Sequence, residues 1–503
     1  MKTPPSSPAA KRHARNARKL QHQTKHPGFP VPVTPLEELT PIHRRAAGID
    51  VGSAQNYVAI PAEGLAPGES PVRVFGAFSV DQDALVEWLQ KQQVNTAAME
   101  ATGIYWLSLY DKLEMAGIEV CLVDPHGVKA VPGRKSDWLD CQWLQKLHTY
   151  GLLAKAFRPD LPVRRLRALT RQRAELVCCG AAHQHHMDKA LVTMNLHLSL
   201  ALSDLVSDTG LRVIQAILDG QRDPKELVKL RDVRCKKSSV AEMEAALTGS
   251  YDEEQLFILR QSLEGWQFYQ KQMEECDRRI EKALAAIPKA GPAPKAPPRL
   301  KAIPADAQAR ATKRPKRPQK GNNAPTTDFT AAVVRICGTD LMKVCGLNLL
   351  SVLMLIGEIG VDMSRWRSAR AFCSWLGLCP GAKISGGKVL SRRTRKVHNR
   401  ASTILRLGAW AAGKTDTWIG RFYRRVKARR GPAKAVTATA RKLACVIYHM
   451  LKYQEEFVLL DNSVYEAKVE MHRLRRLEKE AQAMGYQLIE QKAVDRALAS
   501  IPG

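Results

Sequence analysis

The chain has 503 residues, 45% of them hydrophobic, with 78 Lys and Arg against 49 Asp and Glu, a net charge of +29. So long a chain exceeds one core and predicts two to four domains, while the charge predicts a polyanionic partner held through phosphate contacts. No membrane partner is expected: the longest apolar stretch, Leu347–Val361, contains Asn348 and Glu358 and falls short of the roughly 20 residues a span needs.

Residues 1–45 are basic and proline-bearing and lack the apolar core of a secretory signal, so they read as a disordered arm on a cytoplasmic protein. Order is expected from Ala46. AAGIDV and NYVAIPA read as two strands joined by a turn with Gly52 and Ser53, Val72–Val80 as a third strand, and Asp83–Gln93 as a helix. NTAAME is a fourth strand, YWLSLYDKLEMAG a helix, IEVCLVDP a fifth strand, and Ser136–Gly151 an amphipathic helix with Ser136 as its N-cap. Three strands followed by helix, strand, helix, strand, helix is the order of a ribonuclease H-like α/β domain, assigned to residues 46–160. Residues 161–287 read as helical, either a coiled-coil oligomerisation element or an intramolecular hairpin. Residues 288–327 hold nine prolines and ten Lys/Arg against one acid, Asp306, which predicts a disordered linker. From 328 to 460 the pattern is again mainly helical. Asp340–Pro380 reads there as helix, Gly turn, helix, turn, helix, suited to a phosphate contact or to a plain helical core. Residues 461–503 form a helical tail, and the fold class is α/β plus α. Eleven scattered cysteines without a C-x-x-C spacing suit neither a disulfide framework nor zinc and read as reduced thiols.

Two groups of residues carry chemistry. Asp50 and Glu100 end the first and fourth strands, and strand ends converge on one rim of a sheet; Asp137 and Asp140 are spaced i, i+3 on one helix face. Four such carboxylates would repel unless divalent metal sat among them, and a pair of Mg²⁺ ions would suit phosphodiester chemistry. Singly, each acid is as well explained as a turn former or first-turn helix acid, and Asp124 is a spare acid in an Asp-Pro turn. The second group surrounds Ser385. Between Lys383 and Lys442 there are eighteen Lys/Arg and one acid, Asp416, a field suited to phosphate rather than a solvated face of alternating charge. Gly386 and Gly387 would expose the Ser385 hydroxyl, and Arg392, Arg393, Arg395 and Arg400 would neutralise charge on an attacked phosphate. On the residues alone, a turn serine is the plainer reading. Neither a Ser-His-Asp context nor a G-x-x-x-x-G-K-[ST] loop is present.

GIDVGSAQNYVAI, MEATGIYWLSLYDKLEMAGIEVCLVDPHGVKAVPGRKSDWLDCQWLQKLHTYGLL and GEIGVDMSRWRSARAFCSWLGLCPGAKISGGKVLSRRTRKVHNRASTILRLGAWAA resemble, in this order, the two domains of the DEDD transposases of IS110-type bacterial insertion sequences. The resemblance implies a RuvC-like domain whose four acids map onto Asp50, Glu100, Asp137 and Asp140, holding Mg²⁺, and a second domain whose serine maps onto Ser385. It further implies one composite site in which the serine attacks DNA to form a 5′-phosphoserine link. A structured bridge RNA pairing with donor and target DNA, dimers pairing into a tetramer, and action at the bacterial nucleoid follow from the same likeness. Lys383, Lys388, Arg392, Arg393, Arg395, Lys396 and Arg400 are the expected nucleic-acid contacts. The basic arm, long helical middle and linker depart from shorter family members, as do Asp124 where Asn is usual and Cys141 where Ala is commoner. Two alternatives stay open: a RuvC-like nuclease using the acids and water, and a non-catalytic basic nucleic-acid-binding protein.

Overall fold

A computed structural model describes residues 39–63, 65, 68–101, 103–123, 136–235, 237–292, 294, 323–381, 383–391, 393–395, 397, 399–457 and 462–489. The chain divides into two compact units between Arg158 and Pro159. In the first, β1 (Ala46–Val51), β2 (Gln55–Ala59) and β3 (Val72–Gly76) are followed by α1 (Ser79–Lys91), β4 (Thr96–Glu100), α2 (Trp106–Met115), β5 (Glu119–Val123) and α3 (Asp137–Thr149). The strands lie in the order β3-β2-β1-β4-β5. The β1–β2 and β2–β3 pairs are antiparallel, whereas β1–β4 and β4–β5 are parallel. This is the mixed five-stranded sheet of a ribonuclease H-like domain.

Side-chain alternation along β1 sets the two layers. Ala47, Ile49 and Val51 face one way and join Leu85, Leu89, Leu109 and Leu113 of α1 and α2 in the main core. Gly48 and Asp50 share the opposite face. The third strand stops at Gly76, four residues before the expected Val80, because the Asp81 carboxylate accepts a hydrogen bond from the Phe78 amide at 3.2 Å and opens α1 there. Ser136 caps α3, accepting from the Leu139 amide. Residues just before β1 already belong to the fold: the Ile42 and His43 amides donate to the Thr149 carbonyl.

The second unit is mainly helical. Its helices are α4 (Leu161–Thr193), α5 (Leu198–Ala201), α6 (Asp208–Leu218), α7 (Pro224–Lys229), α8 (Val240–Ala246), α9 (Glu253–Ala286), α10 (Thr330–Cys337), α11 (Leu349–Ile359) and α12 (Ala369–Trp375). After strands β6 (Lys383–Ser385) and β7 (Lys388–Ser391) come α13 (Arg400–Gly413), α14 (Trp418–Arg430), α15 (Pro432–Tyr453) and α16 (Asn462–Ala483). The two long helices, α4 and α9, form an antiparallel hairpin within the chain: Arg173 pairs with Asp277 at 2.5 Å, and further along His183 lies against Gly265 and Tyr269. Helices α5–α8, between them in sequence, fold their apolar side chains into one cluster with Met187, Leu191, Leu259 and Leu263.

Glu358, the acid in the longest apolar stretch, has a structural purpose. Arg171 of α4 forms two hydrogen bonds with its carboxylate, at 2.8 and 2.9 Å, and Arg167 donates to the Gly357 and Glu358 carbonyls. The bidentate contact ties α11 to the long hairpin. The expected first helix of the Asp340–Pro380 segment is only a 3-10 turn, Leu341–Lys343. Around α15, Tyr448 is buried among Trp366 and Phe372 and donates its hydroxyl to the Trp366 carbonyl at 2.9 Å. Among the described residues, no helix is long and apolar enough to cross a membrane.

Candidate functional site

The acids are brought together by one close approach. Helix α3 crosses the face of β1 that carries Gly48 and Asp50, and a Cβ on Gly48 would stand 2.2 Å from the Cys141 carbonyl oxygen and 2.3 Å from the Gln145 nitrogen. Only glycine lets the helix backbone settle onto the strand here. That contact lays the first turn of α3, with Asp137 and Asp140, toward the strand end bearing Asp50. Glu100 arrives by register: Gly48 pairs with Ala98 in the parallel β1–β4 ladder, so two residues on Asp50 and Glu100 are neighbours on the same face.

The charges register this arrangement. Burial, then the negative charges of Asp137, Glu100 and Asp140, push the Asp50 carboxyl up from its usual 3.8 to about 6. A carboxylate so crowded is relieved by a bound cation. The donor set consists of hard carboxylate oxygens, which fits a hard divalent ion rather than a thiophilic one. As the side chains stand, no group of three or more His, Cys, Asp or Glu among the described residues is gathered closely enough to form a ready cage. Cys141, next to Asp140, is fully buried under the site with its thiol pushed up to about 12 by burial, so it acts as packing rather than as a ligand. Asp124 lies outside the described residues.

Ser385 ends β6 at the tip of a two-stranded hairpin, where it pairs with Lys388. Gly386 and Gly387 form the two-residue turn at φ +54° and +75°, the left-handed values that the tightest hairpin turns require at both positions. A Cβ on either would meet nothing within 4 Å, so the tip projects into open space. The Ser-Gly-Gly motif is thus fully accounted for as a turn, and the same turn leaves the serine exposed. Lys388 is exposed beside it. Arg395 reaches back to the Ser374 carbonyl at 3.4 Å, and Arg400, first residue of α13, faces Glu175 at 3.9 Å. The Arg393 carbonyl accepts from the Gly381 amide, which braces the base of the hairpin. Lys383 contributes its backbone to the ladder. Arg392, Lys396 and His398 lie outside the described residues.

The residue that sequence reasoning missed is Gly48. Its signal was present as a small residue two positions before the acid on a strand face that must accept a helix.

Residues 47–196 match the family model for the DEDD transposase of IS110, and residues 338–424 match the model described as the IS116/IS110/IS902 transposase family. The two matches fall on separate stretches, one on the acids and one on the serine hairpin. A comparison with curated proteins finds no match. A DEDD transposase domain implies divalent-metal chemistry, and the two transposase domains together imply a DNA substrate. The chain thus carries, in this order, both domains of the IS110 family of transposases.

Proposed function

We propose that this transposase cuts and rejoins DNA with the Ser385 hydroxyl as nucleophile and with Asp50, Glu100, Asp137 and Asp140 as the holders of Mg²⁺. The observation that carries the reading is that Asp50 and Glu100 share one sheet face and rim, and that α3, with Asp137 and Asp140 in its first turn, packs against that face at Gly48. When bound, the metal supplies Lewis-acid stabilisation of the phosphate undergoing attack. The chain's own residues do the rest. Ser385 Oγ bonds to phosphorus as the bond to the 3′ oxygen breaks, leaving a 5′-phosphoserine and a free 3′ hydroxyl, so the energy of the phosphodiester is kept for rejoining. Lys388, Arg393 and Arg395, with Lys383, Arg392, Lys396 and Arg400, bind the flanking phosphates. A structured bridge RNA selecting donor and target DNA, and assembly as paired dimers, belong to the same proposal and rest on the family likeness.

A second reading draws on the turn at Gly386–Gly387, which explains the exposed serine without chemistry: water attacks at the acids alone, as in a RuvC-like nuclease. The experiment for the acids is common to both. Asp50→Asn is expected to lower metal-dependent strand cleavage by at least about a hundredfold while DNA binding persists. Cleavage at the normal rate by that variant, or at full rate in chelator, would remove the acids from the reaction, and binding without any metal-dependent cleavage by the wild-type protein would leave a basic nucleic-acid binder whose acids are structural.

A further inference from the structure

Helix α13, which follows the serine hairpin, buries Ile404 and Leu405 as an ordinary amphipathic helix does, but its last two turns depart from that pattern. Its C-terminal half turns its smallest residues inward: Gly408, Ala409, Ala412 and Gly413 are buried. A Cβ on Gly413 would stand 2.5 Å from the Tyr423 ring, and one on Gly408 would stand 3.0 Å from Leu347. Neighbouring helices approach too closely on that side for a large residue. The two largest apolar side chains of this half, Leu407 and Trp410, face solvent at 64% and 53% exposure. With Thr403 and Lys414 they form one exposed stripe at helical spacing.

On the helix itself the charge is of one sign, the nearest acids being Asp416, which pairs with Arg421 and Arg424, and Glu175, which faces Arg400 at the far end. Helix α13 contains no acid, Arg406 stands one position from Leu407, and Lys414 sets its ammonium 3.6 Å from the Trp410 ring centroid. A second copy seated on the patch would bring its own Arg406 and Lys414 against these. A nucleic-acid strand would instead bring phosphates to the cations and a flat π-face to the indole.

We propose that Trp410 is a stacking platform for an unpaired nucleobase, with Leu407 beside it and Arg406 and Lys414 holding the adjoining phosphates. The inference rests on the nucleic-acid reading above and adds a recognition site on a helix face apart from the acids and the serine. An unpaired base can come from DNA opened during strand exchange or from a single-stranded part of an RNA. Stacking is common to both.

The test uses the full-length protein with fluorescent single-stranded DNA, single-stranded RNA of the same sequence, and the matching DNA duplex, each titrated at several salt concentrations. Trp410→Ala is expected to weaken single-strand binding by about 5- to 150-fold while leaving the slope of log affinity against log salt unchanged, because stacking releases no counterions. Trp410→Phe is expected to recover most of the loss, and duplex binding is expected to stay unchanged. The arm showing the loss, DNA or RNA, identifies the strand. Unaltered single-strand affinity in Trp410→Ala overturns the proposal, as does an equal loss on duplex. A fall in oligomer mass on sedimentation of that variant also overturns it, by assigning the stripe to a second copy. Failure of the wild-type protein to bind any of the three probes would instead sink the underlying nucleic-acid reading.

Discussion

Gly48 occupies the point where α3 meets β1, and a methyl group there has nowhere to go except into helix backbone. Gly48→Ala is therefore expected to destabilise the first unit by about 2–4 kcal/mol, measured by chemical unfolding, because backbone, unlike a side-chain tip, cannot step aside. It should also weaken the interaction of Asp137 and Asp140 with Asp50, so metal-dependent cleavage falls further than stability alone accounts for. Stability equal to wild type would show that α3 does not rest on the strand at this point. His148, on the same helix, gives the first unit an acid sensitivity. Its ring is buried against Thr96, with Nε2 2.8 Å from the threonine hydroxyl, and His43 stacks on it at 4.8 Å. Burial, then the positive charge of His43, pull its pKa from the usual 6.5 down to about 4, against the opposing effect of Glu119, while Lys155 also lowers it. The unfolded chain thus takes up the proton first. Stability is fully present above about 6.5 and is lost as pH falls from there to about 4. Asp50, whose carboxyl is raised to about 6, works in the opposite direction over the same window, so the His148 contribution is read as the difference in thermal melting against pH between wild type and His148→Gln: wild type should lose stability relative to the variant as pH falls from about 6.5 to 4, and a difference that stays constant with pH would remove His148 as the source.

At the scale of elements, the α4–α9 hairpin is fastened by a buried charge pair. Arg173 and Asp277 meet at 2.5 Å with almost no exposure, and Asp277 also receives the Thr326 amide while Arg173 donates to the Asn323 carbonyl. Removing one partner strands the other charge in the interior. Asp277→Ala is expected to cost about 3–5 kcal/mol in denaturant unfolding, whereas a double replacement of Arg173 and Asp277 by Leu should cost much less. Equal losses in both would mean that packing, not the stranded charge, sets the cost. The pair was not legible in the sequence, because two charges 104 residues apart show no spacing rule. Elements set by local chemistry were legible: the Ser136 cap, the strands of alternating apolar residues, and the α11 helix within the longest apolar stretch. Where a side chain's hydrogen bond decided a boundary, as Asp81 does at the start of α1, periodicity alone ran the strand too far. The partner of the acid in α11, Arg171, was equally illegible, lying 187 residues away.

For the whole molecule, the chain has a sheet domain that crowds four acids and, on separate residues, a projecting hairpin that exposes a serine in a cationic field. Spacing along the sequence foreshadowed the acid group, since strand ends and an i, i+3 helix pair are periodic features. The serine was different: its glycines are equally demanded by the turn, so local physics alone left it undecided, and family likeness made it the nucleophile of the proposed reaction. The most direct measurement is to incubate the full-length protein with DNA bearing the ends of its insertion sequence and divalent metal, denature it, and map any covalent protein–DNA adduct by mass spectrometry. Attack by the serine predicts a 5′-phosphoryl adduct on the peptide containing Ser385, absent from Ser385→Ala although that variant still binds DNA. Normal strand cleavage by Ser385→Ala, with no adduct in either protein, would contradict it.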